Sequence, residues 1–501
     1  RNEWGFRGAV MTDWFGGHDP IAQQNAGNDL LMPGNLNQAR EIINGVDSGK
    51  ITMAQLDQNV GHILKLILKS PEFHHYKYSN HPDLKAHAQV ARYAADDGMV
   101  LLKNENNTLP FHGVKTIAVF GNTSHDLIAG GTGSGNVNKP FVINLVPGLK
   151  NAGYQTIGSL DSDYRHYIYT AEAARPRPRS FFMLPPPIPE MIISPDEASQ
   201  IAGESDIAVI TIGRNAGEGA DRKITDNYYL TDREKDLIRT VTSAFHAQNK
   251  KVVVVLNIGG VTDVAAWRDE PDAILLAWQP SEEAGNAIAD ILSGKVDPSG
   301  KLATTFPMDY NDVPSAKSFP GVPADHPKEV TYSEGIYVGY RYYSTFNVKP
   351  AYAFGYGLSY TDFSFSPVTL SSHHFTTSVT ATVTITNTGK RAGKEVAELY
   401  LSAPSGGLDK PAIELKAFGK TRTLQPGEKQ TMSFVLHPGD LASFDTGSSS
   451  WVAAAGDYTV RVGGSSDELT RQANFSLSRD LVTEKDQPEM TPESPIVELK
   501  K

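Results

Sequence analysis

Val252-Val253-Val254-Val255-Leu256 is an unbroken apolar run with four β-branched residues and no polar face. A strand with one wet side alternates between apolar and polar residues. A run of strand length that does not alternate is buried on both faces, as happens when helices cover both sides of a parallel sheet. Thr116 to Phe120, Asp206 to Ile212 and Ala273 to Ala277 have the same character, with helical stretches between them. That alternation predicts an α/β sheet of parallel strands, placed at residues 113–320.

Working outward, a helix through Ala91 to Val100 leads to a turn at Asn104 to Pro110. Before it lies a polar stretch rich in His, Tyr and Pro, so residues 73–112 read as a linker and leading helix. Within the sheet domain, Arg175 to Pro189 is broken by prolines around Phe181-Phe182-Met183-Leu184 and reads as a long inserted loop.

Residues 1–72 hold two β-then-α steps. Phe6 to Trp14 reads as a short buried strand, followed by Gly16-Gly17 and a helix opening at Asp19-Pro20. Asp29 to Met32 reads as a second strand, broken by Pro33-Gly34 before a helix from Leu36 with Ala39, Ile42 and Ile43 on one face. A third helix, capped by Thr52 with Gln55 at the capping-box offset, is expected to turn Leu56, Val60, Ile63, Leu64 and Ile67 inward. Two parallel strands cannot close a barrel, so this segment reads as the end of a larger α/β domain.

After a connecting segment at 321–370 the chain becomes rich in Ser and Thr. Val379, Ala381, Val383 and Ile385 alternate onto one face, and similar runs recur near Ala397, Thr431 and Tyr458, predicting a β-sandwich over 371–480. The charged tail, 481–501, reads as an exposed extension or as disordered.

The 501 residues suit about three domains. A hydrophobic share of 40% with 21% charged residues excludes a polyelectrolyte. The net charge of −11 is spread thinly, which argues against a nucleic-acid or anionic-membrane partner. The absence of cysteine removes disulfides, thiolate metal sites and cysteine nucleophiles. The apolar runs are far shorter than the roughly 20 residues of a membrane-spanning helix. No His cluster has metal-ligand spacing. Gly131-Thr132-Gly133-Ser134-Gly135-Asn136 nearly copies a dinucleotide fingerprint but ends in Asn and does not close a first β-turn-α unit.

Two carboxylates remain. Asp13, in Val10-Met11-Thr12-Asp13-Trp14, sits where a parallel strand would end, which is where α/β domains expose reactive groups. Glu218, in Gly217-Glu218-Gly219, follows a buried strand on a glycine-flanked loop. Taken alone, the plainer reading of Asp13 is a cap for the next helix beside a core Trp, and that of Glu218 is a solvated loop carboxylate. Together with Trp14 they suit sugar hydrolysis, in which one carboxylate attacks the anomeric carbon and the other protonates the leaving oxygen.

Over essentially its full length the chain also resembles family 3 glycoside hydrolases of the β-glucosidase type. The similarity runs from Val10 to Trp14 through Gly27 to Gly34, Val100 to Asn104, Gly130 to Gly135 and Asp297 to Leu302, and on to Tyr332 to Tyr342 and Phe354 to Tyr360. The resemblance implies the C-terminal end of a (β/α)8-type barrel, an α/β sandwich domain carrying the acid/base loop, and a fibronectin type III-like domain. It implies Asp13 as nucleophile and Glu218 as general acid/base of a retaining mechanism, the carboxyl groups about 5 to 5.5 Å apart in the working state. Trp14 would stack on the sugar, and no cofactor or metal is needed.

A Trp beside the nucleophile favours a β-D-glucosidase acting on terminal β-glucosyl residues of oligosaccharides. The alternatives are a β-xylosidase or another exo-glycosidase of the family, or an inactive carbohydrate-binding fragment. The residues that bind glucose hydroxyls in the family's barrel would precede Arg1. A preceding segment, or a second copy in a homodimer, is therefore expected to complete the pocket, and family analogy implies a periplasmic or secreted location.

Overall fold

The computed structural model describes residues 1, 4–176, 185–219, 221–487, 492 and 494–501. The loop expected over Arg175 to Pro189 lies largely outside them. The chain forms two compact units, built mainly of Arg1–Asp83 and of Leu84–Lys485.

The second unit centres on a six-stranded sheet. Its strands are β1 (Val100–Asn104), β2 (Thr116–Phe120), β3 (Gln155–Thr156), β4 (Ile207–Arg214), β5 (Lys251–Ile258) and β6 (Ala273–Leu276), in the order β1-β6-β5-β4-β2-β3. Val254 pairs in parallel with both Ile210 and Ile274. Val252, Val254 and Leu256 face one apolar cluster with Leu237, Val241 and Phe245. Val253 and Val255 face another with Leu145, Ala287 and Ile288. All five residues are fully buried, so a polar residue on either face of β5 would meet a packed helix layer.

Val100 does not end a helix, as its sequence suggested. The helix Leu84–Gly98 stops at glycine, and Val100, Leu101 and Leu102 form the antiparallel edge strand beside β6, Val100 opposite Leu276. Pairing with an open sheet edge and burial of all three side chains outweigh continuing the helix.

The sandwich packs Val379, Ala381, Val383 and Ile385 against Leu399, Leu401, Val460 and Val462, as the alternation predicted. Its strands are β7 (Phe363–Phe365), β8 (Thr369–Leu370), β9 (Val379–Asn387), β10 (Val396–Ser402), β11 (Glu414–Lys420), β12 (Lys429–Leu436), β13 (Ser443–Asp445), β14 (Ser450–Ala453), β15 (Gly456–Gly463), β16 (Arg471–Leu477) and β17 (Leu481–Lys485). Two sheets, β11-β10-β15-β16 and β12-β9-β7, with β8 beside β9, supply the inner faces. Leu481–Lys485 was expected to be a free tail but pairs with Ser450–Ala453, which gives its backbone groups a ladder in place of water.

In the first unit, helices α1 (Pro20–Asn25), α2 (Leu36–Asp47) and α3 (Met53–Leu68) follow the expected order. The two expected strands are reduced to one parallel bridge, Met11 to Leu30, and Met11 is exposed rather than buried. With only each other to pair with in this chain, two short segments cannot extend a ladder. Thr52 caps α3 as expected, accepting from the Gln55 amide. The inward face differs, however. Asn59 and His62 are the buried residues of α3, while Val60, Leu64 and Ile67 are exposed, and Ile43 of α2 is exposed with them.

Candidate active site

Asp13 lies at the end of an extended segment held from beneath. The fully buried Asp29 carboxylate accepts the Val10 amide at 2.7 Å and lies 3.0 Å from His62 Nδ1, with the Arg1 guanidinium on its other side. The Asp29 amide returns a bond to the Val10 carbonyl. Beyond it, the Thr12 amide donates to the Leu30 carbonyl, and the Met32 amide donates to the Thr12 hydroxyl at 2.7 Å. This fastening explains the polar inner face of α3. Asn59 donates to Gln24 at 2.9 Å and accepts from Gln55 at 2.9 Å, so both buried amides are satisfied.

After Thr12 the chain turns sharply, with Trp14 at φ 41° and Phe15 at φ 65°. Left-handed backbone at two aromatic residues is strained and belongs to sites where function sets the shape. Asp13 is exposed, and Trp14 stands 53% exposed with its ring edge-on to Phe15. The plainer reading of Asp13 therefore fails: Asp19, not Asp13, caps α1, and Trp14 is exposed in this chain.

Glu218 belongs to the second unit. After β2 the chain adds β3 on one side, then crosses to place β4 on the other, so the winding reverses between β2 and β4. In open α/β sheets the crevice beyond the carboxyl ends of two such strands is where ligands bind. The loop after β4 carries Glu218, and the loop after β2 carries Gly130 to Asn136. The two are joined: Thr132 bridges to Gly217, and its hydroxyl donates to the Glu218 carbonyl at 2.6 Å.

The Glu218 carboxylate rests on the second loop. The Ser134 amide donates to Oε2 at 2.7 Å and the Ser134 hydroxyl to Oε1 at 2.6 Å. The Ser134 hydroxyl, followed by its amide, holds the Glu218 carboxyl below the usual glutamate range. A Cβ on Gly133 would lie 2.2 Å from Glu218 Oε2 and 2.5 Å from its Cβ, so only glycine leaves room for the side chain.

The base of the Glu218 loop is pinned by two arginines. Arg214, the last residue of β4, meets Glu234 through two bonds of 2.5 and 2.6 Å, and its Nε donates to the Asn227 carbonyl. Arg222 bonds the Asn227 side chain at 2.6 Å and the Val261 carbonyl at 2.7 Å. Among the described residues no group of side chains could hold a metal ion, and no helix is long and apolar enough to cross a membrane.

Asp13 and Trp14 thus stand together in the first unit, and Glu218 stands in the second. Sequence reasoning missed Asp29 and His62 beneath Asp13, Ser134 under Glu218, and the arginine pins. The glycines around Ser134 were the available signal, since Gly-Thr-Gly-Ser-Gly spacing allows close approach by another chain segment.

These features define a multidomain α/β protein with a carboxylate, Glu218, on the loop at the switch point of its sheet, and with a separate β-sandwich. Residues 99–340 match the glycosyl hydrolase family 3 C-terminal domain and residues 395–466 the fibronectin type III-like domain. The chain belongs to glycoside hydrolase family 3. Beta-glucosidase 3B from Thermotoga neapolitana, solved in complex with α-D-glucose, is similar at 45% identity and a TM-score of 0.91, over 96% of this chain and 68% of that one. Beta-glucosidase A of Butyrivibrio fibrisolvens is 36% identical over 81% of this chain and 53% of its own length. An exo-alpha-(1->6)-L-arabinopyranosidase of Bifidobacterium breve is 31% identical over 96% of this chain and 60% of its own. The chain therefore spans between half and two thirds of the length of these two curated relatives.

Proposed function

We propose that the protein is a retaining, exo-acting β-D-glucosidase that removes terminal β-glucosyl residues from oligosaccharides or aryl glucosides. Asp13 attacks the anomeric carbon, and Glu218 protonates the departing glycosidic oxygen. Glu218 then takes a proton from the water that releases the sugar from Asp13. The observation that carries this reading is the placement of Glu218 on the loop beyond β4, at the switch point of the α/β domain. The strained, exposed Asp13-Trp14 turn supports it, because a solvent-facing indole beside a carboxylate offers a sugar both a stacking face and a nucleophile.

A second reading, an exo-glycosidase for a pentopyranoside, draws on the name of the Bifidobacterium relative. Rates on p-nitrophenyl β-D-glucoside, β-D-xyloside and α-L-arabinopyranoside, measured on the protein as isolated from its host, separate the two. The glucoside is expected to be fastest, and a faster pentoside would favour the second reading. Asp13→Ala should abolish turnover of whichever glycoside is best, and retained turnover would remove Asp13 as nucleophile. With the activity we propose a periplasmic or secreted location, tested by fractionating the host. Recovery with cytoplasmic markers would reject it.

A further inference from the structure

Glu218 is held at more points than a mobile acid requires. Gly217 and Gly219, on either side of it, have φ of 152° and 113°, the second well inside the region that side chains avoid. Its carbonyl is tied to Thr132 and its two carboxylate oxygens to the hydroxyl and amide of Ser134. Gly133, at φ 60°, supplies the floor on which the side chain lies. Both donors at the carboxylate come from one residue 84 positions away in sequence, and both need acceptors with free lone pairs. A neutral carboxylic acid would carry its own proton at one of these oxygens and could keep the contact only with the Ser134 hydroxyl turned to accept it. This cradle therefore fits the carboxylate.

We propose that Ser134 is a positioning residue that stations Glu218 in its base form, and that for Glu218 to act as the acid it must take a proton and either leave Ser134 or have the Ser134 hydroxyl turn from donor to acceptor. The proposal rests on the reading of Glu218 as the acid/base. In the first half-reaction the Glu218 carboxyl proton passes to the glycosidic oxygen as the C1–O bond breaks and the Asp13 carboxylate bonds to C1. The Glu218 carboxylate left behind matches the Ser134 cradle. In the second half-reaction it takes a proton from water while the water oxygen bonds to C1 and Asp13 departs. The cradle keeps Glu218 in the unprotonated form that the second step needs, though as a weaker base, and withholds the proton that the first step needs, since a general acid works best with a pKa near the working pH.

The test does not depend on turnover. The 501-residue chain is labelled with [δ-13C]glutamate and titrated by carbon NMR, with the Glu218 signal assigned by its loss in Glu218→Gln. The Glu218 midpoint should lie below those of exposed glutamates that have no such hydrogen-bond donors. Ser134→Ala should move it upward towards them, and Gly133→Ala, which drives the side chain off its floor, should do the same. Ser134→Thr, which keeps the hydroxyl, should hold it down. In the active protein the alkaline limb of kcat/KM should shift to higher pH in Ser134→Ala and return in Ser134→Thr.

A Glu218 midpoint unchanged by Ser134→Ala, in a chain whose amide spectrum shows it folded, overturns the proposal. If instead the midpoint moves but Glu218→Gln leaves turnover intact, the cradle stands and the acid/base reading falls.

Discussion

Glu234→Ala removes the counter-charge of Arg214 at the root of the Glu218 loop. The two side chains are only 8% and 9% exposed, and their two bonds are those of a well-formed bidentate pair. Arg214 would keep bonds to the Asn227 and Gly213 carbonyls but lose its bidentate anion. Leaving one buried charge unpaired costs about 3 to 5 kcal/mol. Glu234 also accepts the Thr231 amide and hydroxyl at the start of the helix Asp232–His246, so the lost cap adds roughly 1 kcal/mol.

For a domain of this size each kcal/mol lowers the midpoint by about 2 to 4 °C, which predicts a fall of roughly 10 °C or more in the calorimetric transition of the α/β domain. Amide exchange over residues 221–228 should quicken with it. The double variant Arg214→Met/Glu234→Leu should recover much of the loss, because apolar replacement of a buried pair is often neutral. A loss below about 1 kcal/mol, the cost of a solvated surface pair, would refute the view that this pair pins the loop.

Glu218→Gln should lower kcat by about 10²- to 10⁴-fold on glucosides with poor leaving groups, yet spare the first step on 2,4-dinitrophenyl glucoside, which pre-steady-state bursts would show. Asp29→Ala strips the Val10 amide and His62 of a buried partner and should destabilise the first unit by about 3 to 5 kcal/mol. Hydrogen exchange at Val10 and Thr12 reads that loss, and unchanged protection would mean Asp29 is no support. His125, stacked on Tyr164, is lowered to about 4 by burial, which disfavours its charged form. With the folded value below the unfolded one, its contribution of up to about 3 kcal/mol is complete above pH 6.5 and is lost as pH falls through about 4. In His125→Phe the stability of the α/β domain should depend less steeply on pH between these values, and an unchanged slope in urea titrations would contradict it.

The sheet was legible at β5 because its whole run is buried on both faces, and the sandwich was legible at Val379 to Ile385 because one face is dry and the other wet. Both are local consequences of layer architecture. The edge strand from Val100 was not legible, since an apolar residue after a helix reads as its end until a sheet edge far along the chain offers it bonds. The inner face of α3 misled for a related reason. Asn59 and His62 are buried because Gln24 and Asp29 satisfy them, and periodicity assigns inwardness to apolar residues alone.

The candidate site divides the same way. Asp13 and Glu218 stood out by position after expected strands and beside glycines. The glycines around Ser134 signalled a close approach, but which carboxylate it would hold was not legible, because a hydroxyl's partner is chosen by the loop that comes to rest on it.

The most direct test of Asp13 as a glycosidase nucleophile is intact-mass spectrometry of the protein isolated from its host, before and after incubation with an activated 2-deoxy-2-fluoro-β-glucoside, followed by peptide mapping. One fluoroglucosyl adduct on the peptide containing Val10-Met11-Thr12-Asp13-Trp14, absent in Asp13→Ala, is the predicted result. An adduct on another carboxylate, or turnover of β-glucosides with no adduct at all, would contradict it.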